Sequence, residues 1–423
     1  AANPNLIYIQ ATAMGESLYL ALFIWAIVFF AELARGDARG LLKCGCCVAA
    51  ACLSRYDGWF LAGVLVIAAV VVGFRNPSSQ PRKMRKHKDH PPIDSKRVIL
   101  KFVLLAFAAP ALWMAYNAAV YRNPLEFANG PYSAKAIEKK TATVNPARGK
   151  LVAAGSYFLK AAELNVAEPK WLGRSWLGLA LLGSLAAAFT GRGRVALLLW
   201  TPLAFYSLSI AYGSVPIFVP PWWPFSQYNV RYGLQLLPAF AVFVPLGVFF
   251  LIQRAAVLNK IKPSWRRWAD LAAVAMTLLF AGSGYATIWR AQPICYREAK
   301  INARGHVALD RQLGEWIKSL PANATLLMYL GDHVGALERV GIPLEKTINE
   351  GNHRVWKQPS DPEGLWDRAL ADPVAYADYA VGFQGDPVWT AARDRHLTAL
   401  VEFHTTGQPA AVIFQGRAQG GVR

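Results

Sequence analysis

The apolar residues of this chain gather into runs close to the roughly 20 residues that a helix needs to cross a ~30 Å hydrocarbon layer. The runs fall at 14–34, 41–54, 57–74, 98–120, 172–190, 195–215, 232–253 and 269–290. That pattern predicts a polytopic membrane protein. The composition agrees, being 54% hydrophobic and 17% charged over 423 residues. A soluble chain of this length needs more charge to cover its cores. The runs 41–54 and 57–74 are short, and only Ser54-Arg55-Tyr56-Asp57-Gly58 separates them. They predict a tight helical hairpin that crosses and returns.

The net charge of +19 does not point to nucleic acid, because the cations sit mostly in short loops between apolar runs. Arg35 and Arg39 lie in 35–40, Arg82, Lys83, Arg85, Lys86 and Lys88 in 75–97, Arg192 and Arg194 in 191–194, and Arg266 and Arg267 in 254–268. Alternate loops are basic, and basic loops face the cytoplasm. Residues 1–13, 54–58, 121–170, 216–230 and everything after 290 are then expected outside. The long loop 121–170 strains the rule with Lys135, Lys139, Lys140, Arg148 and Lys150, mixed with Glu126, Glu138, Glu163 and Glu168. Its stretch near 150–164 reads either as a helix lying in the interface plane or as an ordinary connecting helix. The chain begins at Ala1, with no basic n-region before the first span. Together with a first span that starts outside, this predicts an N-terminally truncated piece of a longer protein.

Cys44, Cys46, Cys47 and Cys52 fall in or beside one apolar run, with no His nearby in sequence. Small residues packing between helices is the favoured reading over a metal site. From 291 to 423 the pattern changes. Strands are expected at 324–330, 376–383 and 410–415, and helices at 302–319, 362–371 and 388–403, which together make a small α/β layer. No G-x-G-x-x-G or P-loop occurs there. His333, after the first of these strands, reads as a turn residue or as a strand-end site.

Ionisable groups in or near membrane spans are costly and ask for a reason. Three clusters stand at the same, outer level. Glu16, one turn into its span, is either a carboxylate favoured by a helix N-terminus or an acid facing a substrate cavity. Arg55-Tyr56-Asp57, at the hairpin tip, offers a guanidinium for phosphate, with Asp57 as a helix cap. Gln227-Tyr228-Asn229-Val230-Arg231-Tyr232 follows Pro220-Pro221-Trp222-Trp223-Pro224. Arg231 opens an apolar helix against its dipole, so an anionic partner is expected, either Glu16 or a phosphate. The three clusters are expected to converge.

Asn3-Pro4-Asn5-Leu6 with Thr12-Ala13-Met14 and Glu16, the Ser54–Gly58 hairpin, Arg231-Tyr232 before Leu236-Leu237-Pro238, and an outside α/β tail together resemble the GT-C superfamily of multi-span glycosyltransferases. The nearest types are bacterial protein-mannosyltransferase-like and lipopolysaccharide-sugar-transferase-like enzymes. The resemblance covers most of 1–290 in pattern, through short motifs, and the tail only in kind. It implies a mostly α fold with about eight spans in 1–290 and a small extracytoplasmic α/β domain in 291–423, set in the inner (plasma) membrane. It implies inverting transfer of a sugar from a polyprenyl-phosphate donor to a lipid, glycan or protein. Arg55, Tyr56, Asp57, Gln227, Tyr228, Arg231 and Tyr232 would bind substrate, with Trp223 a further stacking surface. The family's catalytic carboxylate normally lies in the first outer loop, often as an acidic pair. No outer loop here has one, so that residue is expected in a missing upstream segment, with Glu16 as the substitute catalytic candidate. The family's metal-associated acidic motif is also absent, which leaves a divalent metal open. A flippase or transporter of lipid-linked intermediates is the alternative, though the paired repeats of transporters are not evident. A membrane-anchored binding protein working through its tail is a third reading.

Overall fold

The computed structural model describes residues 2–35, 37–73, 95–130, 133–136, 145–190, 193–215, 217, 229–258, 266–331, 333–350 and 364–417. Among these, six helices are long and apolar enough to cross a membrane. Five are Glu16–Leu33, Ile99–Tyr121, Lys170–Phe189, Arg194–Tyr212 and Val230–Ala255, and the sixth lies within Arg267–Lys318. Gly40–Ser54 and Asp57–Val71 are apolar but shorter. The protein is thus mostly helical and multi-pass in character. Ile67, Leu104, Leu112, Leu185, Leu278 and Leu279 are all exposed. A soluble protein rarely leaves so much apolar surface bare, whereas lipid requires it.

The chain divides into two compact units, Ala1–Glu298 and Ala299–Arg423. In the first, α1 is Pro4–Gln10, α2 Glu16–Ala34, α3 Ala38–Ser54, α4 Asp57–Gly73 and α5 Ser95–Tyr121. Then come α6 (Leu151–Val166), α7 (Lys170–Phe189), α8 (Thr201–Tyr212), α9 (Leu237–Leu258) and α10 (Arg266–Ala291). A 3-10 turn over Arg194–Trp200 leads into α8, and another over Val230–Leu236 leads into α9. Helix α11, Ile294–Lys318, starts in the first unit and ends in the second. Its early residues Ile294 and Cys295 are buried with the first core, while Leu309, Leu313 and Ile317 belong to the second. The division therefore falls inside a helix, eight residues beyond the 290/291 boundary expected from the sequence.

Helix α3 packs against α2, α4 and α5. Buried Cys44 donates its Sγ–H to the Ala26 carbonyl of α2 at 3.3 Å. Cys52 reaches the Ala106 carbonyl of α5 at 3.9 Å. All five cysteines are free thiols, and these two act as small packing residues between helices. Helix α6, in the long loop, has Phe158, Ala161, Ala162 and Val166 fully buried. It packs against α8 and the Val230–Leu236 turn, so one face of it belongs to the core.

The second unit has one five-stranded sheet in the order β2-β1-β3-β5-β4. The strands are β1 Leu326–Met328, β2 Thr347–Ile348, β3 Tyr379–Phe383, β4 Ala399–Phe403 and β5 Ala411–Gln415. β1 runs parallel to β2 and β3, β5 is antiparallel to β3 and β4, and a register shift lies between Ala399 and Val401. Successive side chains point to opposite faces. Leu326, Met328, Val381, Phe383 and Ile413 pack on one side with α11, and Leu327, Ala380, Val412 and Phe414 on the other. Burial on both faces explains why these strands read as continuous apolar runs.

The expected strands at 324–330, 376–383 and 410–415 correspond to β1, β3 and β5. Strand β2 is not evident from the sequence. The region 388–403 is not one helix. It is α12, Pro387–Asp394, followed by β4. The break comes at His396, whose φ is +54°, a left-handed residue that ends the helix.

Candidate functional site

Glu16, Arg55 and Arg231 come from three distant segments and meet at one oxygen. Glu16 opens α2 and is only 4% exposed. Its Oε1 accepts Arg231 Nε at 2.8 Å and pairs with an Arg55 terminal nitrogen at 2.9 Å. Arg55 sits at the α3–α4 tip and also donates Nε to Asp57 Oδ2 at 3.2 Å. Its second terminal nitrogen donates to the Tyr206 hydroxyl at 3.2 Å. Asp57 is the hub of this side. Its Oδ2 accepts the Tyr206 hydroxyl at 2.6 Å and Gln235 Nε2 at 3.1 Å. The carboxylate expected to cap α4 therefore serves a wider network.

Tyr232 forms the floor. The guanidinium carbons of Arg55 and Arg231 each lie 4.9 Å from its ring centroid, within cation–π range. The ring stacks on Tyr206 at 5.2 Å, which in turn stacks on Phe158 at 4.7 Å. Gly233 follows at once. A side chain there would meet the Ala161–Ala162 backbone of α6, so glycine is what lets the Arg231 turn lie against that helix.

The turn is fastened from beneath. Both oxygens of Glu298 accept backbone N–H groups, those of Asn229 and Val230. Asn229 has φ +51°, a conformation Asn tolerates better than most residues. Buried Asn165 donates to the Val230 carbonyl at 2.7 Å and the Ala161 carbonyl at 2.8 Å. Its own backbone carbonyl accepts Asn3 Nδ2 at 2.7 Å, and Asn5 Oδ1 accepts the Cys295 N–H at 3.0 Å. Asn3 also caps α1 through the Leu6 N–H, with Pro4 in the first turn. The Asn-Pro-Asn opening is thus part of the scaffold under Arg231.

Tyr56 does not join the cluster. It is exposed and stacks on Phe127 at 4.9 Å, edge-on to Trp59. Gln227, Tyr228 and Trp223 lie outside the described residues. Tyr206, Gln235, Glu298 and Asn165 are site residues that the sequence alone does not single out. The available signal is their polarity inside or beside apolar segments.

The four central groups, two carboxylates and two guanidiniums, balance in charge. Their use of donors is uneven. Arg55 commits all three nitrogens, whereas Arg231 meets Glu16 through Nε alone. The terminal nitrogens of Arg231 make no hydrogen bond among the described residues, and its side chain is 24% exposed. This leaves a planar donor pair without a hydrogen-bond partner among the described residues, at the start of an apolar helix. No protein-family model, no curated protein and no solved structure matches the chain.

Proposed function

We propose that this chain is a GT-C-like membrane glycosyltransferase that takes a sugar from a polyprenyl-phosphate donor and passes it to a lipid, glycan or protein acceptor. In this reading the chain crosses an inner (plasma) membrane about eight times, and its α/β tail is extracytoplasmic. The observation that carries the reading is the fork of Arg231, whose terminal nitrogens make no hydrogen bond among the described residues. Guanidinium binds phosphate through two parallel N–H bonds, and this one is oriented by Glu16 and supported by the Tyr232 ring. The donor's prenyl tail would lie in lipid while its phosphate reached the terminal nitrogens of Arg231. Arg55, each of whose nitrogens already meets Asp57, Glu16 or Tyr206, positions this arrangement and supplies long-range charge. Glu16 holds both arginines through Oε1 in the resting site. A role as base would need that oxygen released, or the use of Oε2, which is buried and has no hydrogen-bond partner among the described residues.

The test is binding of a short-chain polyprenyl-phosphate sugar to the detergent-solubilised chain. Arg231→Ala should weaken binding about tenfold to hundredfold, since a charge-assisted bond contributes about 1.5–3 kcal/mol. Arg231→Lys should restore it only in part, because Lys is a point charge. Folded Arg231→Ala protein that binds as tightly as the parent would overturn the donor-phosphate role.

A further inference from the structure

A second group of chemistry-bearing side chains lies within the Ala299–Arg423 unit. His306 and Asp310 are four residues apart on α11 and so share a helix face. His333 lies in the turn after β1. One ligating atom from each lies within 4.8 Å of the others. His306 Nδ1 is 3.0 Å from Asp310 Oδ2. The rings of His306 and His333 lie nearly parallel with centroids 5.2 Å apart.

His333 is held in place before any ligand arrives. Glu350 accepts the Leu330 and Gly331 N–H groups, each at 2.7 Å. The turn closes when the His333 N–H donates to the Leu330 carbonyl at 2.6 Å. The imidazole lies flat on Phe383, with centroids 3.8 Å apart. Asp310 is 4% exposed, and its Oδ1 is buried with no hydrogen-bond partner among the described residues. A simple His306–Asp310 pair accounts for one carboxylate oxygen. It leaves the other without a hydrogen bond among the described residues. A buried acceptor left unmade costs about 1–3 kcal/mol and asks for a reason.

We propose that His306, Asp310 and His333 form a three-ligand site for a divalent transition metal, with the ligand chemistry of a zinc centre that keeps one position open. Two neutral imidazoles and a carboxylate suit zinc and its neighbours, and do not suit the all-oxygen preference of magnesium or calcium. Zinc bonds of about 2.0–2.2 Å put tetrahedral donors ~3.3–3.5 Å apart. The three ligating atoms already lie within 4.8 Å of one another, close to that spacing. Each neutral imidazole ligates through its unprotonated nitrogen and keeps its proton on the other ring nitrogen, and the buried carboxylate gains a cation. His306, with its side chain 29% exposed, marks the side from which the ion and a water ligand enter. Arg339 adds positive charge near Asp310, so the site favours an ion that binds strongly to nitrogen over one held by charge alone.

The test uses the full chain in detergent, stripped with chelator and titrated with zinc sulfate or cobalt chloride alone. One equivalent of zinc should bind and raise the unfolding temperature. Cobalt should give a tetrahedral visible band without the near-ultraviolet charge transfer that a cysteine thiolate adds. His333→Gln, Asp310→Asn and the more exposed His306→Gln should each lower zinc affinity about a hundredfold or more, beyond the 10–100-fold cost of losing an outer-shell partner. The parent chain is decisive without any variant, since absence of a cobalt band and of zinc stabilisation would overturn the site. Zinc binding unchanged in all three variants would place the ion elsewhere and overturn it equally.

Discussion

At the scale of single residues, Glu16 and Asp57 carry the first unit's polar organisation, each receiving several donors at one oxygen. Removing one partner of a buried ion pair usually costs about 3–5 kcal/mol, because it strands the opposite charge. Tyr206 allows a milder probe. Its hydroxyl lies between an Arg55 nitrogen and Asp57, while its ring stacks independently on Phe158 and Tyr232. Tyr206→Phe keeps both stacks and removes only the hydroxyl. Equilibrium unfolding in detergent should show a loss of about 1.5–3 kcal/mol, the range for hydrogen bonds to charged groups. A variant as stable as the parent would mean that the hydroxyl does not bridge the two. Sequence reading reaches Glu16, Arg55 and Arg231 because a charge beside lipid stands out. It passes over Tyr206 and Gln235 because a lone polar group in an apolar run becomes meaningful only once its distant partner is known. Asn165 and Glu298 are hidden for a second reason. They contact backbone, and backbone acceptors and donors leave no mark in a sequence.

At the scale of elements, hydrophobic length and hairpin punctuation suffice for the helices, whose core-facing residues and lipid-facing residues are alike apolar. They fail at 388–403, where a helix and a strand adjoin with no change in the apolar pattern. Helix α12 shows what local signals do hold. Asp386 caps it, accepting the Trp389 N–H through one oxygen and the Phe383 N–H at 2.9 Å through the other. Burial pushes the Asp386 carboxyl up to about 6 from an ordinary 3.8, against the lowering effect of its backbone hydrogen bonds. A folded-state value above the unfolded one means the folded protein binds the proton more tightly. The contribution of this group to stability is therefore full below pH 3.8 and is lost as pH rises through about 6. Asp386→Asn keeps a capping oxygen without the charge. Relative to the parent, the variant should gain stability as pH rises from about 4 to about 7, when unfolding midpoints are compared across that range. A parent-minus-variant difference that does not change with pH would refute this account.

At the scale of the whole molecule, the proposed topology follows from the alternation of basic loops. With exposed Cys46 removed, Ser360→Cys should react with an impermeant thiol reagent in intact cells, and Lys86→Cys should react only after permeabilisation. The reverse pattern would move the Glu16–Arg55–Arg231 cluster to the cytoplasmic side and end the lipid-phosphate reading. The tail's sheet has a consequence of its own. Among the described residues one margin is β2, two residues long. The other is β4, interrupted by a register shift and bearing an outward Glu402 beside His404. A strand from another copy finds too few free backbone groups at the first margin, and a kinked, charged rim at the second. Chains confined to a membrane plane meet each other far more often than chains in dilute solution. Blunt margins on both sides let such a sheet be crowded at high surface density without being recruited into a growing fibril.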